Sequence, residues 1–155
     1  MSLRTATPAD LDGIMAIERA SFPTDAWSAE SMAAELASPH SRYLVDEVDG
    51  AIVGYGGVRA LQGGADADIQ TIALAAHRRG HGRGRALLRA LLDAAAQRGA
   101  REVFLDVRAD NHTAHGLYVS EGFVEIGRRP RYYQPDDVDA IVMRLDLRRR
   151  RREQP

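Results

Sequence analysis

A chain of 155 residues and 17.0 kDa, 45% hydrophobic and 28% charged, has the size and make-up of one globular domain with its own core. It contains no cysteine, and all 21 basic residues are arginine, which excludes a disulfide framework, a thiolate zinc site, a thiol nucleophile, a Schiff-base lysine and a Walker-type phosphate lysine. The formal charge of −1 conceals an asymmetry, −7 over residues 1–77 against +6 over residues 78–155, the latter resting on five consecutive arginines, Arg148 to Arg152.

In chain order, Leu3 to Ala6 reads as a short strand. Thr7 and Pro8 start a helix, Thr7 as cap and Pro8 at the first position, which needs no N–H donor. Leu11, Ile14, Met15 and Ile17 carry that helix to about Ala20. A loop with Pro23, Asp25 and Trp27 leads to Ser28, a second cap, and a helix through Met32 and Leu36 that stops before Pro39. Tyr43 to Glu47 and Ala51 to Leu61 read as an antiparallel pair about an Asp49-Gly50 turn, and Gln62-Gly63-Gly64 leads into a strand over Ala67 to Leu74. After Gly84, residues Leu87, Leu88, Leu91, Leu92 and Ala95 form the sheet-facing stripe of a helix that Gly99 ends.

Glu102 to Arg108 alternates as a strand, with Val103, Leu105 and Val107 on one face and Phe104, Asp106 and Arg108 on the other. Asn111 caps a short helix through Leu117 and Tyr118 that closes at Gly122. Strands at about Phe123 to Tyr133 and Ala140 to Leu147 flank a turn at Gln134-Pro135-Asp136-Asp137. The expectation is an α/β (α+β) domain over residues 1–147, a mixed sheet with helices packed on it. Residues 148–155 are expected to form a disordered Arg-rich tail. The opening residues contain no apolar leader, and a cytoplasmic location with no membrane partner follows as the expectation.

The chemistry concentrates in Arg79-Gly80-His81-Gly82-Arg83-Gly84-Arg85, between a strand and a helix. Alternating glycines let successive N–H groups converge, and the following helix adds its positive end, so the loop predicts an anion site suited to pyrophosphate. A Walker loop fails because Arg85-Ala86 follows the last glycine, and a dinucleotide fingerprint fails because position 87 is leucine. The loop instead resembles the Arg/Gln-x-x-Gly-x-Gly/Ala signature of the GCN5-related N-acetyltransferases (GNAT). The resemblance extends through Leu105-Asp106-Val107-Arg108-Ala109-Asp110-Asn111 and Gly116-Leu117-Tyr118-Val119-Ser120-Glu121-Gly122-Phe123. Arg128 to Tyr133, Asp139 to Met143 and the segment from Phe22-Pro23 to Trp27-Ser28 are similar to the RimI branch, the bacterial N-terminal alanine acetyltransferases of a ribosomal protein.

The resemblance implies a mostly antiparallel seven-stranded sheet with about four helices and a splayed central strand pair holding acetyl-CoA, without a metal. Its cofactor residues here are Ile72, Ala73, Leu74, Arg79, Gly80, His81, Gly82, Arg83, Gly84, Arg85, Asn111 and Tyr118. An N–H of Ala73 or Leu74 would polarise the acetyl oxygen. Tyr118 is implied as the acid for the leaving thiolate. Asp106 stands where that branch carries a glutamate and is the candidate base, directly or through water; a plain ion pair with Arg108 or an arginine of the last strands is the competing reading, and Glu102 or a water chain to Asp68 would be other bases.

The acceptor, a protein N-terminus and in particular that of a ribosomal protein, would lie across Trp27, Asp66, Asp68, Arg131, Tyr132 and Tyr133. Tyr132 and Tyr133 also read as ordinary strand residues, one inward and one outward. His112 and His115 sit at i and i+3, but no third metal ligand is evident. Rival readings are acetyl transfer to lysine side chains or a small amine, a non-catalytic CoA sensor, and weak RNA contact through the Arg148 to Arg152 tail.

Overall fold

The computed structural model describes residues 2–153. Strand β1 (Ser2–Thr5) leads through a 3-10 turn at Pro8–Asp10 into α1 (Leu11–Ser21), followed by α2 (Ala29–Ala37). Three strands follow, β2 (Ser41–Val48), β3 (Ala51–Ala60) and β4 (Asp66–Leu74), then α3 (Arg83–Gln97), β5 (Glu102–Arg108) and α4 (His112–Ser120). The chain closes with β6 (Val124–Tyr133), β7 (Val138–Asp146) and α5 (Leu147–Glu153).

Local chemistry accounts for most boundaries. The Ser28 hydroxyl accepts the Ser31 N–H at 3.0 Å and the Asn111 side chain accepts the Ala114 N–H at 3.1 Å, so both expected caps operate. Thr7 does not cap with its side chain; its backbone N–H donates to the Asp10 carboxylate at 2.8 Å, and Arg4 grips the same carboxylate at 2.8 and 2.9 Å. Residues 148–153 of the Arg-rich tail continue from buried Leu147 as a helix, with Arg150 3.7 Å from Asp93. The rest of the tail lies outside the described residues.

The seven strands form one sheet in the order β1-β2-β3-β4-β5-β7-β6. All neighbours are antiparallel except β4 and β5, which run parallel because α3 crosses between them. Their pairing lasts only from Asp66–Glu102 to Asp68–Phe104; beyond it the strands diverge, giving the splay expected at the sheet's centre. Alternate residues of β2 enter different cores, Leu44 with the α3 leucines and Val45 with Ile14, Met15 and Met32 of α1 and α2, so the helices cover opposite faces. Tyr43 lies flat over β3 because Gly57 has no side chain; a Cβ there would stand 2.1 Å from the ring. The Tyr43 hydroxyl donates to Gln70 at 2.9 Å, where a register shift in β4 lies.

Candidate active site

In the glycine loop, Gly80 and Gly82 have φ of +83° and +79°, and nothing stands within 4 Å of where their Cβ atoms would be. Backbone conformation, not crowding, requires glycine at both. The first-turn N–H groups of α3, which follow Gly82, have no intrahelical partners. The arginines behave less uniformly than the motif suggests. Arg79 folds back onto the Leu74 carbonyl at 3.2 Å, Arg85 pairs with Glu121, and Arg83 turns inward to Asp46 at 2.8 Å, a carboxylate with no exposed surface. Only Arg83 is withdrawn into the fold; Arg79 and Arg85, though each is engaged, stay at the surface beside the loop backbone.

Beside this loop lies a cleft of about 810 Å³, and every expected cofactor residue except His81 and Arg83 lines it. A smaller cavity of about 130 Å³ opens between the diverging ends of β4 and β5. Tyr118 of α4 belongs to both walls, so the two spaces meet there. Its phenol is 5% exposed and packs edge-on against Phe123, ring centroids 5.7 Å apart; burial first, then Tyr133, raises its pKa well above the ordinary phenol range. It is thus a core aromatic and a cavity wall at once.

Asp106 lines the smaller cavity. Arg129 of β6 stands 3.7 Å away, so the arginine of the last strands, not Arg108, is its ion-pair partner. Glu102 is occupied by Arg144 at 3.2 Å. Asp68 has its pKa raised by burial and by the charges of Asp66 and Asp106, but neither Asp66 nor Asp68 lines either space. Of the other expected acceptor residues, Trp27 and Tyr133 line the cavity. Tyr132 points outward, 53% exposed, with its ring edge-on to Tyr133, and Arg131 sits in a left-handed turn at φ 50° with its N–H on Asp139. No cluster of metal-ligating side chains occurs among the described residues.

The model of the acetyltransferase (GNAT) family matches residues 11–123. The chain belongs to that family. This GNAT acetyltransferase is 37% identical over 135 residues to a putative [ribosomal protein bS18]-alanine N-acetyltransferase of Bacillus subtilis, covering 86% of this chain and 87% of that one. It is 41% identical over 145 residues, 92% of its length, to an uncharacterized protein of Mycobacterium leprae, of whose length it spans 40%. The crystal structure of the ribosomal-protein-S18-alanine N-acetyltransferase from Escherichia coli superposes with a TM-score of 0.83 at 28% identity, covering 94% of this chain and 93% of that one.

Two groups at the GNAT site have partners that the motif reading did not foresee. Glu18 of α1 is 1% exposed and lines the smaller cavity. Its Oε1 accepts the hydroxyl of Tyr55 and that of Thr71 at 3.1 Å, while Oε2 accepts the Trp27 N–H at 2.9 Å. The sequence does hold a signal: Glu18 falls four residues after Ile14, on the apolar stripe, where an acid has no place unless it is partnered. The second group is Arg108, which gathers Asp110 at 3.0 Å, Asp136 at 3.1 Å and Asp25 at 3.5 Å, and sits 5.3 Å from the centre of the Tyr133 ring. Its partners come from three loops; Asp110 is two residues away, but no local spacing announces Asp25 or Asp136.

Proposed function

We propose that this chain transfers an acetyl group from acetyl-CoA to the N-terminal α-amine of a protein, the alanine-initial chain of a ribosomal protein, by direct attack in a ternary complex. The observation that carries the reading is the meeting of the two spaces at Tyr118, with Asp106 in the wall of the smaller one. The names of the Bacillus subtilis and Escherichia coli relatives support the choice of acceptor.

The larger cleft fits acetyl-CoA by its donor set: first-turn amides without intrahelical partners, after two left-handed glycines, suit a pyrophosphate, and the unpaired edge of β4 suits an amide-bearing arm. Bound there, acetyl-CoA supplies a thioester carbonyl and a thiolate leaving group. The Ala75 N–H donates to Val53 of β3 at 2.8 Å; by antiparallel alternation the Ala73 N–H also faces β3, and the Leu74 N–H faces the splay, making Leu74 the donor for the acetyl oxygen. Asp106 accepts the proton of the acceptor ammonium, directly or through water. Tyr118 Oη keeps its proton, because its pKa is raised, and stabilises the departing thiolate by donating a hydrogen bond. With no cysteine in the chain, no acyl-thioenzyme intervenes.

The test is turnover with acetyl-CoA followed by mass spectrometry. An alanine-initial peptide should gain one acetyl group on its α-amine, while an N-terminally blocked peptide with an internal lysine should not. Acetylation of the lysine peptide alone would replace this acceptor with a side-chain amine.

A further inference from the structure

The smaller cavity is lined by three carboxylates, Glu18, Asp25 and Asp106, and by one guanidinium, Arg108. Asp25 has Arg108 at 3.5 Å and Asp106 has Arg129 at 3.7 Å. Glu18, the most deeply buried of the three, has no cation within salt-bridge distance among the described residues. All three of its hydrogen-bond partners, the Tyr55 and Thr71 hydroxyls and the Trp27 N–H, are neutral groups able to donate to it. Burial keeps Tyr55 fully protonated as one of those donors. An anion removed from water is stabilised by such bonds, but its charge is not neutralised by them. Oε2 accepts a single bond and retains a free acceptor position.

We infer that the acceptor's α-ammonium is the missing counter-ion, so that Glu18 is a binding and specificity residue that draws a charged amine into the cavity. The inference rests on the reading that this cavity takes the acceptor. An α-amine, with an ordinary pKa of about 8, arrives mostly protonated at neutral pH, so charge is the property by which the cavity can tell an N-terminus from a neutral chain. Glu18 acts on arrival; removal of the proton belongs to Asp106. The same carboxylate holds the Trp27 backbone, so the charge that selects the amine is fixed to the loop that walls the cavity.

The experiment measures binding of two peptides to the protein in the presence of CoA, where no acetyl can transfer: one alanine-initial, the other identical but with the α-amine replaced by hydrogen. Wild type should bind the amine peptide about tenfold or more tightly, the size of a charge-assisted contact. Glu18→Gln should remove that preference while leaving the affinity for the des-amino peptide nearly unchanged. Tyr55→Phe, which breaks the same hydrogen-bond network but leaves the carboxylate, should lose stability and keep the preference. Equal binding of both peptides by wild type overturns the inference even if the Gln variant does not fold. So does an equal loss for both peptides in Glu18→Gln, or a preference lost as fully in Tyr55→Phe. Turnover on the alanine-initial peptide is scored separately: activity without the preference refutes only the role of Glu18, and absence of activity refutes the acceptor assignment.

Discussion

Tyr118 and Asp106 reach the smaller cavity from different elements, and their burial sets what each can do. Tyr118 is enclosed and holds its proton; Asp106 is partly open and pairs with Arg129 at 3.7 Å. Tyr118→Phe keeps the ring packing against Phe123 and removes only the hydroxyl, so kcat should fall by about 10²- to 10⁴-fold with little change in melting temperature. Asp106→Asn should lower kcat within the same range. Steady-state rates with both substrates saturating decide each case, and an Asn variant at full rate removes Asp106 from proton transfer. That both would stand at one site was legible because they lie in a short, ordered motif, and both line the smaller cavity. Glu18 was not, because its importance lies in what surrounds it: Tyr55 and Thr71 are 37 and 53 residues away in sequence and meet it only when α1 lies on the sheet.

At the scale of elements, caps and turns follow local sequence, whereas charge pairing does not. Ser28, Asn111 and the Asp49-Gly50 turn act where the sequence puts them. Arg83 stands inside the anion-loop motif yet serves the fold, tying the start of α3 to buried Asp46 on β2. Arg83→Ala would leave that carboxylate unpaired and should cost roughly 3–5 kcal/mol of stability, read as a lowered denaturation midpoint, with the KM for acetyl-CoA nearly unchanged. A large rise in that KM without loss of stability would return Arg83 to the ligand. The start of α1 carries a different charge device. The Arg4 guanidinium holds the Asp10 carboxyl down at a pKa of about 2. Because the folded value is the lower one, its contribution is present above the ordinary carboxyl range, near pH 4, and is lost as pH falls towards 2. Asp10→Asn should therefore be less stable than wild type at pH 7, and the difference in melting temperature should shrink progressively below pH 4. A constant difference across that range would mean the pair contributes nothing through its charge.

For the whole molecule, the alternation of strands and helices was readable from periodicity, and the family resemblance supplied the seven-stranded, mostly antiparallel sheet with its central splay, whereas the strand order emerges only from the fold. The acceptor side was less legible: Trp27 and Tyr133 reach the cavity while Asp66, Arg131 and Tyr132 do not, because the turn of a strand and the twist of a sheet decide which neighbours face inward. The brief contact between β4 and β5 has a dynamic corollary. In most sheets the middle strands shield their amides best and the margins exchange first. Here the Ile72 and Leu74 amides sit at the centre of the molecule beside an opening. Deuterium should label them earlier than Val103 or Leu105, which are held in an unbroken register with β7. Saturating CoA should then slow labelling at those two positions more than anywhere else in β4, so the isotope pattern reads the width of the opening without any turnover.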